Sequence, residues 1–168
     1  MRELARRVGI DVRTAYHYFP SKADLLRELV AMGGHLDPPP PGALDTLRSM
    51  DQREALHAII RLVLDILTER APYNRLLNTQ ALAGDADAMV VARELWAGWQ
   101  EQLETLLEAG RVVHGDDRAA FARMLRALLW GVFSESHLTG ALTDDDTRDA
   151  LATELAATLM RLVRTSTG

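Results

Sequence analysis

The sequence predicts an all-α protein in which a small N-terminal head is joined to a larger helical body. Apolar residues recur at three- and four-residue spacing along nearly all of the 168 residues, and the alternating β-branched pattern of strands is absent. One stretch, GGHLDPPPPG at residues 33–42, breaks this pattern with a pair of glycines at its start and four consecutive prolines. We therefore expect a helix to end there and the body to begin beyond it.

The composition excludes several classes of protein. Cysteine is absent, so neither a disulfide nor a thiolate site can form, and a reducing cytoplasm fits best. No run of eighteen apolar residues exists, and the N-terminal MRELARRVGI lacks the apolar segment of a signal peptide. The formal charge is −5, yet residues 1–30 carry six Lys or Arg and four Asp or Glu. Contact with a polyanion is therefore expected only at this N-terminal segment.

Capping patterns place the helices of the body. Asp51 and Glu54 form a capping-box pattern ahead of an apolar helical face, and this helix should end near Pro72. A short segment, residues 73–82, follows it. Three longer helices are then expected, the first from Asp85 to Gly110, the next from Asp116 to Gly140, and the last from the acidic run TDDD at residues 143–146.

The head begins with a short helix and a tight turn. The stretch MRELARRVG places Leu4, Ala5 and Val8 on one helical face, and Gly9 allows the sharp turn that follows. Asp11 has the position and side chain of an N-cap for a second short helix. A helix, a glycine turn and a second helix are typical of a helix-turn-helix.

The second short helix carries hydrogen-bonding side chains on its outer surface. Ala15 and Phe19 lie four residues apart and should point inward. In a helix-turn-helix the second helix enters the DNA major groove, while neighbouring groups hold phosphates. An alternative is that the aromatic residues merely cover the edge of the helical core. The residues expected to be displayed are Arg13, Thr14, Tyr16, His17 and Tyr18.

The next helix begins with a charge of the wrong sign. Pro20 ends the second helix, Ser21 caps the third, and Lys22 lies in its first turn. A cation at a helix N-terminus opposes the helix dipole. An external anion would remove this conflict, and a DNA phosphate is one.

The segment MRELARRVGIDVRTAYHYFPSKADLLREL is similar to the DNA-binding segment of the tetracycline-repressor (TetR) family of transcription regulators. The resemblance covers residues 1 to about 31, and TAYHYFPSKADLL keeps the family's spacing without a gap. It implies a homodimeric repressor that a small-molecule effector releases from a palindromic operator. By position it also implies that Thr14, Tyr16 and Lys22 hold phosphates, whereas Arg13, His17 and Tyr18 face the groove.

The resemblance predicts three parts: a partial helix-turn-helix domain at 1–34, a Pro-rich linker at 35–43, and a ligand-binding and dimerisation domain at 44–168. Family members begin with one further helix, whereas here Met1 already lies within the helix-turn-helix. Three explanations are open: a start assigned too late, numbering from an internal methionine, or a natural truncation that keeps dimerisation but not DNA binding. The DNA upstream of the Met1 codon would distinguish them.

Two further sets of site residues are predicted in the body. An aromatic, methionine and amide set could line the effector pocket, although such a stripe is also typical of simple core: Tyr73, Asn78, Met89, Trp96 and Trp99. Small residues beside a tryptophan on one helix, with an apolar face on the last helix, resemble the family's four-helix dimer seam: Ala127, Trp130, Gly131, Ser134, Ala156, Leu159, Met160 and Val163.

Catalysis has no evident site in the sequence. A di-iron bundle needs two Glu-x-x-His pairs, and only Glu54 with His57 provides one. No calcium loop, glycine-rich phosphate loop or nucleophile elbow is present. We therefore expect no enzyme, no cofactor, no metal site and no membrane contact. The alternative function is a truncated helical dimer that binds a small molecule or a protein partner without binding DNA. The effector, the operator and the choice between repression and activation are not specified by the sequence.

Overall fold

The computed structural model describes residues 5–6, 9, 11–33, 37–115, 117–140, 142 and 144–165, and only the backbone of residues 137, 138, 164 and 165. This described part is all-helical and contains no strand, as the hydrophobic periodicity predicts. Its helices are α1 Val12–Tyr18, α2 Lys22–Met32, α3 Ala43–Ser49, α4 Gln52–Glu69, α5 Ala71–Leu82, α6 Ala86–Ala109, α7 Asp117–Thr139 and α8 Asp145–Thr165.

Residue contacts divide the chain into two compact units. The first unit comprises residues 1–37 and 70–97, and the second comprises residues 38–69 and 98–168. Helix α6 therefore contributes its first half to one unit and its second half to the other. The sequence divides the chain differently, at residues 34 and 43, into a DNA-binding domain, a linker and a ligand-binding domain. That division by function stays a prediction.

The predicted helix starts that lie within the described residues are confirmed by their capping hydrogen bonds. At the start of α4, Asp51 Oδ1 accepts from the backbone N–H of Glu54 at 2.8 Å, and Glu54 Oε2 accepts from the N–H of Asp51 at 3.1 Å. This reciprocal pair is the capping box expected from the sequence. The other capping side chains are Asp11 for α1, Ser21 for α2, Asp85 for α6 and Asp144 for α8.

Two connections between helices show details that the sequence did not specify. A short helix, α3, follows the proline tract directly, and it begins after Gly42, whose φ of 83° is left-handed. Helix α4 ends at Glu69, near Pro72 as predicted, and Pro72 itself lies in the first turn of α5. Proline is well suited to a first helical turn because its missing N–H has no helical acceptor there. The expected roles of Leu4, Val8 and Asp116 fall outside the described residues.

The second unit is built around α4. This helix packs against α8 and α7, and its side chains Leu56, Ile60, Leu64 and Leu67 are fully buried. Each buried aliphatic side chain of this size contributes about 1.5–3 kcal/mol of hydrophobic transfer free energy. Apolar burial therefore provides the main stabilisation of this unit.

A polar network joins α4 to the start of α8. The Arg148 guanidinium donates to Asp65 at 3.0 Å and to Asp145 at 2.6 Å, and Arg61 pairs with both carboxylates. Hydrogen bonds from Arg148 and Arg61 hold the pKa of Asp145 below its usual value. Asp145, in the first turn of α8, thus has its partners within the fold.

Candidate nucleic-acid interface

Helix α1 exposes the side chains that the sequence predicts to contact DNA. Ala15 lies on the inner face of α1 and is buried, and Phe19, just after the helix, is half-buried. Tyr16 and Tyr18 expose 46% and 70% of their surface, and the rings of His17 and Tyr18 meet edge to face at 5.5 Å. Arg13, Thr14 and His17 are exposed as well.

The position of α1 depends on a cap and on packing. A seven-residue helix is too short to be stable alone in water. Asp11 Oδ1 accepts from the N–H of Arg13 at 2.7 Å, and the N–H of Phe19 donates to the Ala15 carbonyl at 2.9 Å. Before the cap, Gly9 takes a left-handed φ of 75°. The turn, the cap and the buried Ala15 together orient the exposed face.

Lys22 has an anionic partner inside the protein. Its ammonium group pairs with the Asp85 carboxylate and lies 3.4 Å from Gln80 Oε1. The hydrogen bond from Lys22 holds the pKa of Asp85 below its usual value. Asp85 therefore already balances the charge that opposes the α2 dipole, and an external phosphate is not required for that purpose. The role of Lys22 as a phosphate contact stays a prediction.

A second ion pair joins α2 to α6. Arg27 Nε and one terminal nitrogen donate to the two carboxylate oxygens of Glu94 at 2.8 and 2.9 Å, a bidentate arrangement. Its other terminal nitrogen donates to Asp24 at 3.0 Å. The hydrogen bond with Glu94 raises the pKa of Arg27 and lowers that of Glu94. Both side chains are nearly half exposed, at 43% and 49%, so water and solutes can reach the pair.

Tyr73 joins α5 to α2. Its hydroxyl donates to the backbone carbonyl of Leu26 at 3.0 Å. Partial burial raises the pKa of this phenol to about 12, because the phenolate would lose hydration. Sequence reasoning placed Tyr73 in an effector pocket, whereas this described contact is with the helix that begins at Lys22.

The predicted effector-pocket residues have different surroundings. Tyr73 and Asn78 are half-buried, and Asn78 Nδ2 donates to the Asn74 carbonyl one turn earlier at 2.8 Å. Met89 is 41% exposed. Trp96 is half-buried in the first unit, whereas Trp99 is buried and belongs to the second unit. Their grouping into one pocket stays a prediction.

The predicted dimer-seam residues fall into an exposed and a buried group. On α7, Ala127, Gly131 and Ser134 are exposed. Trp130 is half-buried, and its ring lies tilted by 46° against that of Phe133, with the ring centroids 5.3 Å apart. The α8 residues are more enclosed, because that face packs into the chain's own core: Ala156, Leu159 and Met160 are buried, and Val163 is half-buried. Their burial does not require a second copy, and the seam itself stays a prediction.

Sequence reasoning missed Glu94 and the second role of Asp85. Asp85 was expected only as a helix cap, and nothing marked Glu94. One pattern could have pointed to them: Lys22 opens α2 with no acid three or four residues later, since those positions hold Leu25 and Leu26. A cation without an acidic partner on its own helix needs a partner from elsewhere in the fold. The spacing of charges along α2 does not identify that partner.

Among the described residues, no group of three or more His, Asp or Glu is arranged to hold a metal ion. No helix formed by those residues is both long and apolar enough to cross a membrane.

Comparison with known proteins gives one match. The family model described as "Bacterial regulatory proteins, tetR family" matches residues 1–29, a segment that includes α1 and most of α2. No curated protein and no solved structure matches the chain. The match shows that this N-terminal segment is similar to that of the tetR family of bacterial regulatory proteins.

Proposed function

We propose that the chain is a DNA-binding transcriptional regulator of the tetR type, a repressor that leaves a palindromic operator when a small molecule binds. The observation that carries the proposal is the exposed set on α1. It lies inside the matched segment, residues 1–29, and consists of side chains able to donate to bases and phosphates. The charge distribution agrees with it, because residues 1–30 are the basic part of an acidic chain.

Each exposed side chain has an assigned role in this proposal. Arg13 offers a guanidinium fork, the group that most often reads guanine in the major groove. His17 and Tyr18 lie on the same short helix and face the groove beside it. Thr14 and Tyr16 carry hydroxyls suited to phosphate oxygens, which fix the register of the helix on DNA.

Lys22 completes the phosphate contacts in this proposal, but only by exchanging its partner. In the free protein its ammonium pairs with Asp85. A phosphate oxygen and a carboxylate compete for the same donors, so the two contacts exclude each other in part. DNA binding then includes the release of Asp85, and a change at Asp85 alters the affinity without altering base preference.

Dimerisation and effector release are the remaining parts of the proposal. A palindromic operator requires two heads related by a twofold axis. Apolar side chains exposed on the last two helices, Met124 and Leu162, lie near the predicted seam in sequence and support a helical dimer. An effector releases DNA only through its different affinities for the two conformations, typically by about 1–3 kcal/mol.

The test measures binding to DNA upstream of the chain's own gene and to a random duplex of equal length. Wild-type protein should prefer a palindromic site, with strongly salt-dependent affinity. Arg13→Ala should cost about 1–3 kcal/mol and relax base preference, whereas Lys22→Ala should weaken all sequences alike and reduce the salt slope by about 1. Arg53→Ala removes an exposed arginine of α4 and is the matched control.

One alternative is a helical dimer that binds a small molecule or a protein partner without DNA. The observation that favours it is that Lys22 already forms an ion pair with Asp85. Failure of both wild-type protein and Asp85→Asn to bind either operator or random DNA would decide for this alternative, whereas equal binding of the two duplexes would contradict the preference for a palindromic site. Sedimentation of the same samples measures dimerisation directly. A monomer would contradict both the DNA-binding dimer and the dimer that does not bind DNA.

A further inference from the structure

A groove in the first unit lies between α2 and the first half of α6. Its volume is about 370 Å³, at the lower end of the range of about 300–1,000 Å³ that is typical of small-molecule sites. None of the five residues predicted for the effector pocket lines it. Its lining residues are Arg27, Val30, Ala31, Asp37, Val91, Glu94 and Leu95.

The floor of this groove is apolar and its rim is charged. Val30, Val91 and Leu95 are buried, so a ligand above them would cover side chains that already exclude water. Arg27 and Glu94 are exposed at the rim and form the bidentate pair. An apolar floor with a few polar groups at its edge is the usual composition of a small-molecule site.

The charges at the rim favour a cation over an anion. The lining residues include two carboxylates, Asp37 and Glu94, and one guanidinium, Arg27. Arg27 is also bound by a third acid, Asp24, at 3.0 Å. Each Glu94 oxygen accepts one hydrogen bond from Arg27, and a carboxylate oxygen has lone pairs for two, so each retains capacity for a second donor. A carboxylate ligand would face repulsion from these acids.

We propose that this groove binds a small organic cation with an apolar body, its ammonium beside Glu94 and Asp37 and its body over Val91 and Leu95. The ligand ammonium shares Glu94 with Arg27 and thereby weakens the ion pair between α2 and α6. The binding itself needs no DNA. Its regulatory consequence rests on the proposed DNA-binding function, because α2 begins at Lys22 and follows directly after α1.

The experiment titrates the DNA-free chain with 2-phenylethylammonium and, as a matched anion of similar size, 3-phenylpropionate. Calorimetry should detect binding of the ammonium and little or no binding of the carboxylate. Glu94→Gln should weaken ammonium binding by about tenfold, the loss expected for one charge-assisted hydrogen bond. Glu101→Gln removes an exposed acid from the same helix and should leave the affinity unchanged.

Two further variants separate binding from structural damage. Arg27→Gln removes the cation that competes for Glu94, so it should tighten ammonium binding, an effect opposite to that of a damaged site. Ala31→Phe fills the groove from an exposed position and should abolish binding while the helical circular dichroism stays unchanged. Equal affinity for the two probes, or an affinity indifferent to Glu94→Gln and Ala31→Phe, overturns the site.

Addition of DNA then tests separately whether the bound ammonium changes the affinity for the operator. If the ammonium binds the groove but leaves operator affinity unchanged, the site stands and its coupling to DNA is refuted. If the chain binds no DNA at all, the proposed function fails while the calorimetric result for the groove is unaffected.

Discussion

Helix α4 of the second unit and helix α2 of the first unit differ in what holds them. The core-facing side chains of α4, among them Leu56 and Leu64, are fully buried against α7 and α8. Helix α2 also has a buried apolar face, but its side-chain bonds to α5 and α6 are ion pairs and hydrogen bonds that water can reach. Helix α4 is held in place by apolar burial. Helix α2 is held partly by charged contacts that can exchange their partners.

This difference has a functional consequence. Apolar contacts inside a core have no competing partner in water, so breaking them costs their full transfer and cavity energy. Ion pairs at partial exposure contribute little, because water screens them and offers both ions other partners. An external phosphate or ammonium can therefore take the place of one partner in the first unit without opening a core. Regulation is expected where the contacts are exchangeable.

The largest effect is expected from truncation in the α4 core. Leu64→Ala should lower the free energy of unfolding by about 2–5 kcal/mol, because it removes buried methyl groups and leaves a cavity. Leu82→Ala makes the same chemical change at a side chain that is 89% exposed, and it should cost less than about 0.5 kcal/mol. Urea unfolding measures both, and similar losses would contradict the distinction between the two regions.

The next effect concerns a close approach at the end of α6. A Cβ added to Gly110 would lie 2.7 Å from the Cβ of Ala55 on α4, which cannot rotate away. Gly110→Ala should therefore destabilise the protein by about 1–3 kcal/mol, and adding Ala55→Gly should recover part of the loss. Gly131→Ala, where a Cβ meets nothing within 4 Å of the chain, should instead stabilise the helix by up to about 1 kcal/mol. Destabilisation at Gly131 would indicate that a second copy fills that space.

A smaller effect is expected at the exchangeable contacts. Asp85→Asn removes the charge that pairs with Lys22 and retains an amide able to cap α6 at Ala88. If the proposed function holds, operator and random DNA should both bind a few-fold more tightly. Asp87→Asn removes a neighbouring acid from the first turn of the same helix. An equal gain from both variants would attribute the effect to net charge, not to the release of Lys22.

The smallest effect is a pH dependence at Tyr73. Its folded-state pKa of about 12 lies above the usual value of 10.0, so the neutral phenol is favoured by folding. This contribution to stability is complete below about pH 10 and is lost as the pH rises towards 12. Between pH 9 and 11 wild-type protein should therefore lose more stability than Tyr73→Phe, whereas between pH 7 and 9 the two should change alike. Equal losses in the upper interval would show that Tyr73 is not shielded from water.

Local sequence determined the helices and the exposed face of α1. The caps at Asp11, Ser21 and Asp51 were predictable because each uses a side chain and a backbone N–H at most three residues apart. The display of Tyr16 and Tyr18 was predictable because Ala15 and Phe19 lie one helical turn apart on the opposite side. Neither inference depends on how distant helices pack.

Only the tertiary structure decided which charges meet and which apolar faces are covered. Lys22 and Asp85 are 63 residues apart, and Arg27 and Glu94 are 67 apart. Lys22 is the one lysine of the sequence, but its eighteen arginines and twenty-four acids offer many pairs of equal local plausibility. The face of α8 that includes Leu159 is buried within the chain itself, and its place at a dimer seam stays a prediction, because apolar periodicity shows that a face is covered but not by what. Local hydrogen bonds are fixed by spacing along the chain, whereas these contacts depend on the packing of whole helices, to which distant residues contribute together.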